Sequence, residues 1–159
     1  MNTARVFTPS PRLAPWELTI LRSIIGVIML MHGYQMLVIH GLAATTDGFA
    51  NLGIPFPDIA AIAAVSIEIV GGATLIVGLT SRFSALALAA TMLVALLTVR
   101  NGNGFFAANG GYEYVPFLIA GCLALVLTGP GAAALDAAIK ASPPTRREAL
   151  PRSAVAGYR

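Results

Sequence analysis

The sequence predicts an all-α integral membrane protein, an antiparallel bundle of four transmembrane helices with both termini on the cytoplasmic side. Three observations carry that expectation. Of 159 residues, 57% are hydrophobic and 11% charged, against roughly 45 to 50% apolar and about 25% charged in soluble domains. The apolar residues gather in runs of spanning length, which is about 20 residues for a helix crossing the hydrocarbon core. The basic residues collect at the chain ends and in one tight turn, the pattern of topology signals rather than of a binding groove. Four helices of about 22 residues with their loops use most of the chain, so no separate soluble catalytic domain fits.

Residues 1–15 read as a cytoplasmic arm carrying Arg5, Arg12 and several prolines, and Trp16 marks a membrane interface. Helix one is expected over 16–39. Its length exceeds the 7 to about 15 residues of a signal-peptide apolar region, so it is read as a retained helix although Gly41-Leu42-Ala43 resembles a cleavage site. The loop 40–58 holds turn residues in Asp47-Gly48 and Gly53-Ile54-Pro55-Phe56-Pro57. Thr45 or Thr46 is placed to cap a short interfacial helix through Leu52.

Helix two, 59–79, turns at Thr80-Ser81-Arg82 into helix three, 83–99, and so short a connection makes antiparallel neighbours. Residues 100–112 are rich in glycine and asparagine and read as a loop. Helix four is expected over 113–128, with Pro116 tolerated in its first turn and Gly129-Pro130-Gly131 ending it. The transmembrane domain is therefore 16–131. Residues 132–159 are expected to form a short surface helix, 132–140, and a basic, proline-rich, disordered tail. Arg5, Arg12, Arg82, Lys140, Arg146, Arg147, Arg152 and Arg159 fall on one side and Arg100 on the other, which places both termini in the cytoplasm.

Several functions are excluded on the same grounds. The basic residues are not interleaved with aromatics, so nucleic acid is not a partner. Cys122 is alone, which rules out an internal disulfide or a C-x-x-C relay and leaves a small apolar core residue. A metal site finds too few nitrogen or sulfur ligands in His32, Gln35 and Glu68. Haem between His32 and His40 fails because both come from one short segment and cannot approach from opposite faces. No nucleophile with an adjacent base can be assembled, so the chain is not expected to be a catalyst alone. Solute passage is disfavoured because no pair of broken helices is visible.

Glu68 lies within the apolar run 59–79, where a carboxylate is rare and by default functional. Ala61, Ala64, Gly71 and Gly72 share its face, and small residues let membrane helices approach closely. On helix one, Arg22, Gly26 and Gly33 fall on a matching stripe, with His32 beside it and Gln35 one turn on. At 1.5 Å per residue, His32 lies roughly 10 Å and Glu68 roughly 14 Å below the outer helix ends. Two pairings stay open. Glu68 facing His32 gives a site for proton exchange or for a polar headgroup; Glu68 paired with Arg22 gives a neutralised contact that fixes helix register. Arg22 also has the option of snorkelling to the interface.

A second constellation is expected at the outer face, where Arg100 ends helix three and Tyr112, Glu113 and Tyr114 open helix four. Glu113 complements the helix dipole and the tyrosines suit the interface. The alternative is a mouth over the buried site, with Asn101 to Gly104 as its lid. The candidate binding residues are thus Arg22, His32, Gln35, Glu68, Arg100, Tyr112 and Glu113.

From Leu21 to Asp136 the order of short motifs resembles the DoxX family of small bacterial four-helix membrane proteins. The resembling pieces are His32-Gly33, Leu52-Gly53-Ile54-Pro55, and Glu68 with Gly71-Gly72. Gly78-Leu79-Thr80-Ser81-Arg82, Gly110-Gly111-Tyr112-Glu113-Tyr114, and Gly129-Pro130-Gly131 with Leu135-Asp136 complete the series. One departure is Met36, close to where the family often carries a lysine. The resemblance implies a link to membrane redox processes, including quinone-coupled sulfur oxidation and complexes with oxidative-stress enzymes. The resulting expectation is a subunit of a redox-linked, quinone-coupled complex in the bacterial cytoplasmic membrane. Its polar centre would hold a quinone or lipid, and its surface would meet membrane lipids, other protein subunits or a second copy of the chain. No electron carrier is evident, so electrons must come from a partner. The competing expectation is a non-catalytic structural or assembly subunit.

Overall fold

A computed structural model describes residues 14–99 and 104–136. Every regular element among them is helical. α1 (Ala14–Tyr34) continues without interruption into a π-helical turn, Gln35–Ile39. There the backbone bond from His40 N–H reaches back to the Gln35 carbonyl. α2 (Leu42–Asn51) follows at once, started by Gly41 at φ 82° with no side-chain cap. The expected threonine cap is therefore corrected. Thr45 sits inside the helix, buried, and its hydroxyl donates to the Met36 carbonyl at 2.9 Å, pinning α2 to the π turn.

α3 (Pro57–Val77) begins with Pro57 in its first turn and ends at Gly78, whose φ of 77° closes the helix. The positive φ suits a residue without Cβ, and a Cβ there would also collide with Arg22 Nη1. α4 (Ser81–Val99) starts directly after the turn and α5 (Tyr114–Thr128) follows a loop with a single 3-10 turn, Ala107–Asn109. α1 with its π turn (Pro15–Ile39), α3, and Ser81–Thr98 of α4 are each long and apolar enough to cross a membrane, with mean hydropathies of 1.4, 2.1 and 1.6. α5 is a shorter apolar helix.

Close packing holds α1 to α3, the most extensive helix contact in the chain. A Cβ on Gly26 would stand 2.7 Å from the Gly72 carbonyl oxygen, and one on Gly72 would stand 2.7 Å from that of Gly26. Glycine at both positions is what permits backbone-to-backbone approach. α3 and α4 meet next to their turn, where the Thr74 and Ser84 hydroxyls bond at 2.7 Å and Gly71 seats Leu88. Ile25, Met29, Leu75, Leu88, Cys122 and Leu125 form the centre of the core. It fills the half of the bundle where α1 begins and α3 ends.

After α5 the chain bends back as a strap across that same half. Ala132 N–H donates to the Pro15 carbonyl, Ala133 N–H to the Thr19 hydroxyl, and Asp136 N–H to the Gly78 carbonyl. The Asp136 carboxylate accepts from Thr80 N–H and Ser81 N–H at 3.0 and 3.2 Å, capping α4 from outside the helix. The surface helix expected from residue 132 is thus replaced at its start by this strap, because the backbone groups of Ala132 and Ala133 are used on α1. Residues 1–13 of the expected arm, residues 101–103 of the expected lid 101–104, Arg100, and the tail from 137 lie outside the described residues.

Candidate functional site

Arg22 and Glu68 are both buried, at 2% and 5% exposure, and do not meet. Arg22 Nη1 donates to the Leu75 and Ile76 carbonyls at 2.7 and 3.0 Å, and Nη2 donates to the Ala133 carbonyl. These carbonyls lie in the last turn of α3, where that of Leu75 also accepts from Gly78 N–H and a cation complements the helix dipole, and in the strap. Arg22 Nε has no partner, nor does the buried Ser81 hydroxyl at the same end. Neither the Arg22–Glu68 ion pair nor snorkelling describes this arginine: it is a buried clamp joining α1, α3 and the strap.

Glu68 stands on α3 beside Gly33 of α1, where a Cβ on the glycine would lie 3.1 Å from that of Glu68. Its Oε2 is buried with no hydrogen-bond partner. The carboxyl borders a cavity of about 880 Å3. α1, α3, α4 and α5 all contribute to its walls, as do Met36 of the π turn and Phe49 of α2. Ligand cavities generally span about 300 to 1,000 Å3, so the space suits a ring with part of a chain.

The reason for the space is visible in residue size. α3 offers Ala60, Ala63 and Ala64, and α4 offers Ala87, Ala90 and Ala95. Near their turn these helices touch through Thr74, Ser84, Gly71 and Leu88; further out the alanines leave nothing to fill the gap. Polar groups are few. His32 lines the cavity with Glu68 and makes no hydrogen bond to a described residue, and Thr91 and Thr98 also border it. The two threonine hydroxyls donate to carbonyls of their own helix, so their lone pairs remain open to a ligand. A carboxyl accepts hydrogen bonds and, when protonated, donates one; histidine can do either.

The other sequence candidates sit apart from this space. Gln35 is exposed, its amide nitrogen 3.5 Å from His40 Nε2, while its neighbour Met36 faces the cavity. Tyr112 stacks edge-on against Phe105 at 5.7 Å, and Glu113 N–H bonds the Phe105 carbonyl. The residues on either side of that pair, Gly111 and Tyr114, border the cavity instead. Of the sequence candidates, His32 and Glu68 line the cavity; sequence reasoning notes Ala64 only as a packing residue and Met36 only as a departure from the family, and passes over Thr91 and the alanines of α4. The recurring alanines at spacings of three and four were the available signal, since opposed small residues on neighbouring helices mean either close contact or a void.

The family model described as DoxX matches residues 17–101, which takes in all but the first three residues of α1 and the whole of α2 to α4. A Bacillus subtilis (strain 168) protein named "Putative oxidoreductase CatD" is 31% identical over 117 residues, covering 74% of this chain and 82% of that protein. No solved structure matches the chain.

Proposed function

The chain belongs to the DoxX family of membrane proteins, and on that premise we propose that it is the membrane subunit of a redox-linked assembly whose cavity holds a quinone. The observation that carries the reading is Glu68 Oε2, a buried carboxyl oxygen without a partner, bordering an otherwise apolar cavity that His32 also lines. Buried polar atoms are nearly always satisfied, and a ligand carbonyl or hydroxyl supplies what the protein withholds. Reduction of a quinone takes up electrons and protons together. His32 and Glu68 handle the protons, and the electrons arrive from a partner subunit, since no electron carrier is evident in the sequence. The name of the Bacillus relative, an oxidoreductase, supports the redox assignment.

In this reading α5 completes four spans, the strap and both termini face the cytoplasm, and the protein resides in the bacterial cytoplasmic membrane among lipids and other subunits. Tyr112 and Glu113, which lie between the lining residues Gly111 and Tyr114, stand beside the cavity's outer mouth. A second reading, an assembly subunit without a ligand, draws on Arg22, whose commitment to backbone carbonyls shows how much buried polarity here is structural.

The test is extraction of the full chain from its native membrane, followed by analysis of bound small molecules and thermal unfolding with an added decyl-benzoquinone. A co-purified quinone, or a stabilisation lost in Glu68→Gln, supports the site. Purification with none bound and no stabilisation on adding it would favour the assembly subunit.

A further inference from the structure

The cavity also states where its occupant comes from and what charge it carries. Ala63 of α3 and Ala90 of α4 both border the cavity and are both exposed, as an opening between α3 and α4 at these positions requires. At 1.5 Å per residue, Ala63 lies about 9 Å from the start of α3 and Ala90 about 14 Å from the end of α4. That depth is hydrocarbon rather than water in helices of spanning length. Val94, further along α4, likewise borders the cavity and is exposed.

The charges narrow the occupant further. Among the described residues that border the cavity there is no lysine or arginine. The buried guanidinium of the bundle, Arg22, is spent on Leu75, Ile76 and Ala133. A phosphate head would therefore stand beside the Glu68 carboxyl with no lysine or arginine among the described lining residues to balance it, whereas recognition of phosphate normally draws on arginine or lysine. An uncharged head with a carbonyl or hydroxyl meets Glu68 at no such cost and gives Oε2 its missing hydrogen bond.

We infer that the cavity takes an uncharged, chain-bearing amphiphile sideways from the bilayer, through the opening between Ala63 and Ala90, and excludes phospholipid heads. This rests on the ligand-binding reading above and adds the route and the charge class to it. The head lies against Glu68 and His32, and the chain runs out between α3 and α4 into lipid.

The test uses the full chain in phosphatidylcholine nanodiscs and two probes, a decyl-benzoquinone and dodecyl phosphate, with dissociation constants from native mass spectrometry. Ala90→Phe and Ala63→Phe narrow the opening at exposed positions that carry no core packing. Val27→Phe, on an exposed face that does not border the cavity, is the control. The expected result is binding of the quinone probe, no displacement by dodecyl phosphate at equal concentration, at least a ten-fold loss of affinity in the two alanine variants, and no change in Val27→Phe. Equal binding of dodecyl phosphate overturns the charge class. Undiminished binding by both alanine variants, with melting temperatures matching the unmodified chain, overturns the route. If neither probe binds, the ligand-binding reading itself fails and the inference falls with it.

Discussion

Arg22 and Glu68 are buried to nearly the same degree, yet one end of the bundle surrounds its charge with partners and the other leaves its charge without any. Around Arg22 lie the carbonyls of Leu75, Ile76 and Ala133, the strap from Gly129, and the Asp136 cap on α4. Around Glu68 lie alanines and an open volume. Side chains of the Arg22 end interdigitate in a core, while those at the Glu68 end are too small to close it. The lesson is that two buried charges of similar depth differ in whether their own chain answers them, and a sequence lists the charges without their answers.

The comparison breaks first at Arg22. Arg22→Ala removes a buried side chain and takes the donor from the Ile76 and Ala133 carbonyls, which should cost about 3 to 5 kcal/mol, read as a large loss of thermal stability in detergent. A mild effect would mean the clamp is dispensable and the two ends are alike. The next largest effect should come from Gly26→Leu. Its side chain must enter the space occupied by the Gly72 carbonyl and Ile76, costing about 2 to 3 kcal/mol through separation of α1 from α3. Asp136→Ala removes the acceptor for Thr80 N–H and Ser81 N–H and should cost about 1 kcal/mol, as other helix caps do. Smallest of all, Glu68→Gln should shift stability by no more than about 0.5 kcal/mol, because no partner is lost, while weakening quinone binding about ten-fold. A large destabilisation of Glu68→Gln would place both charges in the framework.

Much of the framework was legible in the sequence. The spans of α1, α3 and α4, a tight connection between α3 and α4, and Gly26 and Gly33 as packing residues follow from apolar run length and from spacing on a helix, although the turn falls at residues 78–80 rather than at Thr80-Ser81-Arg82, because Ser81 and Arg82 already belong to α4. Glu68 and His32 stood out because polar residues in apolar runs are conspicuous. What could not be read was partnership. Arg22 finds Ala133, a residue 111 positions away, and nothing local announces that the chain after α5 folds back. The π turn at Gln35–Ile39 was hidden for a related reason. A register shift inside an apolar helix leaves composition untouched, and its evidence, the Thr45 bond to Met36, is a tertiary contact. The cavity was the least legible part, since alanines signal close packing and empty space with the same letters.

The most direct test of the central claim, that the Glu68 end is a ligand site and the Arg22 end its frame, is an experimental density map of the full chain purified from native membrane into nanodiscs. The account predicts a ring-shaped density against Glu68 and His32 with a chain leaving between Ala63 and Ala90, and Arg22 still on the carbonyls of α3 and the strap. A collapsed, empty interior with Glu68 paired to Arg22 or to another residue of the chain would contradict it.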